Sequence, residues 1–376
     1  MNKCLLGGLL ACTAMPAFAQ SSVTLYGIVD TGVEYVTHAN TNGDSVVRMP
    51  GITGTLPSRW GLRGTEDLGG ELSALFVLEN GFNVRGGDLG QGGRLFGRQA
   101  WVGMKSATWG TLSFGRQYSM AYLGIQESDL LGPNIYGIAS FDAYLPNARS
   151  DNSVAFQSAT LYGFSLGATY SFGRDAAGTG NSPGQGTCAG GVPGQFTACH
   201  QWSARLKYDN GVFGASAVYD EQRGGANAAA NFFDGVTPVP ITSSEDKDAR
   251  IEASGWAKVG IVRMGMGWIA RMVAGPGITS VRSNLFYAGA SVQATPFLIV
   301  DGEAYRMIVA QHDTRGTMGV LRCTYLLSKR TAVYAQAAYL ENSAKARFTV
   351  SSGGGGTTPA EGAGQLGAMV GMRHSF

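Results

Sequence analysis

The chain is short of charge. Only 14% of its 376 residues are Asp, Glu, Lys or Arg, against about a quarter in an ordinary soluble domain. The 28 basic and 26 acidic side chains nearly cancel, leaving +2, which excludes the basic footprint that a nucleic-acid partner requires. Histidine is scarcer still, with four residues. His38, His200 and His312 fall in or beside loop-like stretches and His374 in an alternating segment, none in a nucleophile or metal motif. No cofactor is therefore expected. Long apolar runs are also missing: beyond residue 20 nothing approaches the ~20 apolar residues of a spanning helix.

What stands in place of charge is small and polar. Glycine alone accounts for 57 residues, yet no Gly-X-Y period runs through it, so a collagen-like chain is excluded. The amino-terminus carries a secretory signal. Lys3 is followed by an apolar stretch from Cys4 to Met15 and by the small-x-small site Ala17-Phe18-Ala19, which predicts a removed segment over 1–19. Leu10-Ala11-Cys12 offers a lipoprotein alternative, weakened by the bulk of Leu10. Of the five cysteines, Cys4 and Cys12 leave with the signal. Cys188 and Cys199 share one Gly/Pro-rich stretch, where an oxidising compartment allows a loop-closing disulfide; two free loop thiols are the alternative.

The dominant pattern is alternation with period two. At the carboxy-terminus Leu366, Ala368, Val370, Met372, His374 and Phe376 form a mostly apolar face against Gln365, Gly367, Met369, Gly371, Arg373 and Ser375. Near the start, Val23, Leu25, Val29, Val33 and Tyr35 oppose Tyr26, Asp30 and Glu34. The pattern returns around Leu72–Glu79, Trp202–Tyr208, Val262–Trp268 and Val333–Tyr339, with Cys323 on the apolar face of another strand. Such alternation puts one face of each strand in lipid and the other in water.

Turn signals separate the runs. Asn210-Gly211 reads as a two-residue hairpin, while 174–200, 222–247 and 342–362 are long and rich in small residues. Short turns on one side and long loops on the other mark an outer-membrane barrel. About 357 mature residues, at roughly 22 per strand with its connection, predict about 16 strands in one all-β transmembrane barrel over 20–376. A barrel of that size encloses water. A soluble β-sandwich or solenoid is the alternative, disfavoured by the aromatic residues at so many strand ends.

Several segments carry a specific resemblance. Ser21-Ser22-Val23-Thr24-Leu25-Tyr26-Gly27, Ser58–Gly69, Gly97–Gly103, Phe114-Gly115-Arg116-Gln117 and the closing Gly371–Phe376 look like the trimeric general porins of Gram-negative bacteria, in their betaproteobacterial branch. The resemblance implies a 16-stranded barrel, a homotrimer in contact with outer-membrane lipid and lipopolysaccharide, and a third loop folded inward as a constriction. That loop corresponds to about 118–148, which contains Glu127, Asp129 and Asp142 and lacks sustained alternation. By the family pattern, Arg59, Arg98 and Arg149 match the arginines of the pore wall, and Glu79 and Asp129 match their acidic partners. Opposed charges across a narrow opening would set ion preference. Three arginines against two acids predict weak to moderate anion selectivity for small hydrophilic solutes and ions. Glu127 and Asp142 fit equally well as bonds from loop to wall. A substrate-specific channel or a surface adhesin on the same barrel remains the alternative.

Overall fold

The computed structural model describes residues 22–51, 53–175, 188–352 and 355–376. The expected signal segment, 1–19, lies outside them. Among the described residues one antiparallel sheet of 17 paired strands dominates. Setting aside the three-residue strand Val46–Arg48, sixteen long strands form the wall. They are β1 (Ser22–Val36), β2 (Arg59–Gly69), β3 (Leu72–Gly81), β4 (Gln99–Ser106), β5 (Gly110–Tyr118), β6 (Arg149–Ser158), β7 (Phe164–Ser171) and β8 (Gln201–Asp209). The second half comprises β9 (Phe213–Arg223), β10 (Lys247–Val259), β11 (Val262–Gly275), β12 (Ile278–Gln293), β13 (Leu298–Val309), β14 (Thr314–Leu326), β15 (Thr331–Asn342) and β16 (Gln365–Ser375).

Each strand pairs with its sequence neighbours, and the sheet closes where β1 meets β16, with Asp30 opposite Arg373 and Val36 opposite Gly367. Phe376 completes the seam by exchanging backbone hydrogen bonds with Gly27, at 3.0 and 3.1 Å. Closure matters because the bilayer core offers no water to an unpaired backbone group, so a spanning sheet tolerates no open edge. The alternation read from the sequence holds in the wall: Leu366, Val370 and Met372 point out and are exposed, while Gln365 and Met369 point in and are buried. Cys323 is on the outer face.

Short turns join β2 to β3, β4 to β5, and so on along one rim, which is the periplasmic one by the usual asymmetry of such barrels. The Asn210-Gly211 hairpin differs slightly from expectation. Its connection spans 210–212, with Gly211 at φ 83° and the Asn210 side chain accepting from the backbone N–H groups of Val212 and Phe213. The opposite rim carries the long connections, including 172–200, 224–246 and 343–364. Two of its connections, 276–277 and 310–313, are nonetheless tight. In the long loop that follows β7, Cys188 and Cys199 are joined in a disulfide.

The apolar core is not in the wall. It lies between the inner wall and the loop 119–148, where Ile135, Tyr136, Phe141 and Leu145 are fully buried. Phe141 packs against Tyr305 of β13 with tilted rings and edge-to-face on Phe348 of the β15–β16 loop.

Candidate functional site

The chain leaves β5 at Tyr118 and turns into the barrel, beginning with a short helix, α1 (Met120–Ile125). From there the loop runs along the inner wall and is fastened at nearly every step. The Met120 N–H donates to Ser203 Oγ of β8 at 2.9 Å, and Ser254 of β10 donates to the Gly124 carbonyl at 2.7 Å. Arg263 of β11 donates to the Glu127 carbonyl, and the Ser128 and Tyr287 hydroxyls meet at 2.6 Å. Further on, the Leu131 N–H donates to Glu303 of β13, and Arg322 of β14 donates to the Leu131 carbonyl. The Ile135 N–H reaches the Gly54 carbonyl in the β1–β2 loop. Close approach at Gly265 makes one of these steps possible, since a Cβ there would stand 2.0 Å from the Ser128 carbonyl oxygen.

The acids of the loop all serve this attachment. Glu127 pairs with Lys207 at 2.6 Å. Asp142 accepts from both Nε and Nη2 of Arg250 at 3.0 and 2.9 Å, and Arg250 and Arg271 also hold Asp248. Asp129 is the correction to the sequence reading. Expected to face the arginines, its carboxylate instead accepts from the Gly132 N–H at 3.1 Å and is buried beside Glu303. The reason is local: Gly132 adopts φ 65°, which folds the loop back on Asp129 and turns the carboxyl toward the wall. Burial pushes the Asp129 carboxyl up to about 7.

On the wall of β2–β6 the structure does bring Arg59, Arg98, Arg149 and Glu79 together. Glu79 of β3 accepts from Arg98 Nε at 2.7 Å and lies 3.5 Å from Arg59 Nε of β2. Tyr26 of β1 donates to its second oxygen at 3.0 Å. Arg98 Nη2 and Arg149 Nη2 both donate to the Tyr118 hydroxyl, at 2.8 and 2.7 Å. The Arg149 guanidinium lies over the Tyr118 ring at 4.4 Å, and that ring stacks on Tyr122 of α1 at 4.0 Å. Two guanidiniums thus share the Glu79 carboxylate, and the third, Arg149, joins them through the Tyr118 hydroxyl. Arg98 and Arg149 are almost fully buried, whereas the Arg59 side chain keeps 20% of its surface. Sequence reasoning missed Tyr118 and Tyr122, whose spacing of four across a strand-to-helix junction was the available signal.

Two further inward acids, on β1, have local partners. Asp30 accepts from the Thr55 and Leu56 N–H groups and from the Tyr334 hydroxyl, and Glu34 pairs with Arg48 at 2.8 Å. One Gly-x-Ser-x-Gly pentapeptide, Gly163 to Gly167, occurs where β7 leaves a periplasmic turn. Ser165 stands opposite Lys207 in the sheet, without the strand-to-helix turn of a nucleophile elbow.

A closed 16-stranded antiparallel barrel, with an inward loop fastened opposite an arginine-rich wall, defines a water-filled outer-membrane channel. The family description "Gram-negative porin" matches residues 8–345, and the chain belongs to that family. It is 34% identical over 379 residues to an outer membrane porin protein of Bordetella pertussis, covering 91% of this chain and 95% of the relative. It is 29% identical over 398 residues to outer membrane porin protein 32 of Delftia acidovorans, over the full length of both. Among solved structures it is similar to an anion-selective porin from Comamonas acidovorans, with TM-score 0.76 and 25% identity over 95% of this chain and 100% of that one. The chain is an outer-membrane porin.

Proposed function

We propose that this porin passes small hydrophilic solutes by passive diffusion with a preference for anions, without any catalytic step. One observation carries the reading: three arginines gather on the pore wall around one carboxylate, Arg59 and Arg98 directly and Arg149 through the Tyr118 hydroxyl, while Glu127 and Asp142 of the facing loop pair with the barrel wall and Asp129 is buried beside Glu303. The transverse field is therefore one-sided, positive at Arg59 and without an acidic counterpart from the loop, and such a field concentrates anions in a narrow aqueous passage. The likeness to an anion-selective porin from Comamonas acidovorans supports the same sign. The constriction consists of Arg59, Arg98, Arg149 and Glu79, with Asp129 serving as a seat for the loop. The channel works as a homotrimer, as its resemblance to trimeric general porins implies, with its outer face against outer-membrane lipid and lipopolysaccharide. Planar-bilayer recording under a salt gradient tests this. Stepwise triplets with a reversal potential of the anion-selective sign are expected, and a cation-selective sign would overturn the preference.

A further inference from the structure

The outer face of β12–β15 carries an open groove of about 520 Å³, floored by Ala288, Ala304, Gly319 and Ala337 and flanked by Leu321 and Tyr339. Register places it in rows. Ala288, Ala304, Gly319 and Tyr339 stand side by side, with Gly302, Leu321 and Ala337 one step toward the periplasm. One step toward the extracellular rim the row reads Phe286, Arg306, Thr317 and Glu341. Arg315 lies level with Ile308 in the next row, and Arg282 is outward on β12, two positions from Asn284 toward the extracellular rim.

Three arginines on the lipid side of a barrel need an explanation. A charge there is tolerated only near the interface, and these lie near it. Thr317 stands eight positions from Tyr325, an exposed aromatic beside Phe297 near the periplasmic turn that follows β14, about 20 Å of height for a strand of ordinary tilt. Among the described residues Arg282 and Arg306 have no carboxylate partner; Arg306 donates to the Thr317 hydroxyl, and Arg315 has only the exposed Asp313 at 3.8 Å. Asp313 is shared with Lys345, and Glu341 stands two strands from Arg306.

We propose that this face is a lipopolysaccharide site. The phosphates of the acylated disaccharide headgroup lie on Arg282, Arg306 and Arg315, and one acyl chain lies in the groove beneath. Arginine forms paired hydrogen bonds to phosphate, and the three guanidiniums span three adjacent strands, about 10 Å. That spread fits two separated phosphates better than the single phosphodiester of a phospholipid. A groove floored by alanine and glycine admits a chain against the backbone. The inference rests on the proposed contact with lipopolysaccharide and specifies where it occurs.

The test uses the intact porin in detergent, titrated with purified lipid A and read by native mass spectrometry. The wild type should retain lipid A, and a triple Arg282→Ser, Arg306→Ser, Arg315→Ser variant should bind about tenfold more weakly or worse. Dephosphorylated lipid A should bind the wild type as poorly. Gly319→Phe should weaken binding by filling the groove, because a side chain there meets nothing within 4 Å. Unchanged heat-shift on gels and unchanged conductance certify that both variants fold. Equal binding by wild type and triple variant would overturn the site and leave the general contact standing. No binding by the wild type would sink both. Equal competition by phosphatidylglycerol would make the occupant a phospholipid and overturn the assignment. So would a crosslinker on the outward Cys323 that captured a second porin copy.

Discussion

At the scale of single residues, exposure separates side chains that the sequence treats alike. Arg59, Arg98 and Arg149 are equivalent by resemblance, yet only Arg59 presents an appreciable surface to the lumen. Arg59→Ser is expected to shift the reversal potential toward cations more than Arg149→Ser does, measured in the same salt gradient. An equal or larger shift from Arg149 would place the buried guanidinium in the ion path. Asp129 supplies the second residue-level expectation. Its folded-state pKa is raised by burial to about 7, so the folded loop holds that proton more tightly than an unfolded chain would. The stabilisation is therefore present in acid and is lost as pH rises through about 7, when a charge appears beside Glu303. Single-channel noise should grow over that interval in the wild type and stay flat in Asp129→Asn.

At the scale of elements, the loop 119–148 behaves as a strap with a strong buckle. Arg250 grips Asp142 with two donors, lies over the Tyr144 ring at 4.6 Å and is completely buried. Removing one partner of a buried pair costs about 3–5 kcal/mol because the other charge is left uncompensated. Arg250→Ala should therefore release the middle of the loop, giving larger and noisier conductance and a lower temperature for the gel shift. Conductance indistinguishable from wild type would show that the loop is held by its other bonds. The sequence offered Glu127 and Asp142 as bonds from loop to wall, but not the partners they meet. Asp142 and Arg250 are 108 positions apart, and a loop without periodicity gives no indication of which way its carboxylates turn. Asp129 was misplaced for that reason, and Tyr118 was missed because its role depends on Arg98 and Arg149 arriving from separate strands.

At the scale of the whole molecule, far more was readable. Period two survives in every strand whose outer face meets lipid and whose inner face meets water, so the alternation of β1, β8, β11, β15 and β16 fixes inside and outside before any contact is known. Glu79 and Asp30 pointed inward for that reason alone. The two tight connections among the long ones, 276–277 and 310–313, were the exception. Their positive-φ residues, Gly277 and Asp313, close them tightly, and strict alternation of short and long connections gave no sign of it. Closure can be tested directly. A Cβ on Gly32 would fall 2.1 Å from the Val370 carbonyl oxygen across the β1–β16 seam, so Gly32→Val should impair closing of the sheet. The variant should lose the heat-modifiable band and accumulate as an unfolded species; a normal band would show that the seam yields.

Those two tight connections also shape the entrance. Six of the connections on the extracellular rim are long, and the two short ones sit next to one another around β11–β14. The gap they leave is bridged and not open. Asp234 of the loop 224–246 meets His312 and accepts from the Thr314 hydroxyl, each at 2.7 Å, and its carbonyl accepts from the Arg347 N–H of the β15–β16 loop at 2.9 Å. One long loop thereby ties β9–β10 to β15–β16 over the two short turns, so the rim is braced from inside where its own connections are shortest.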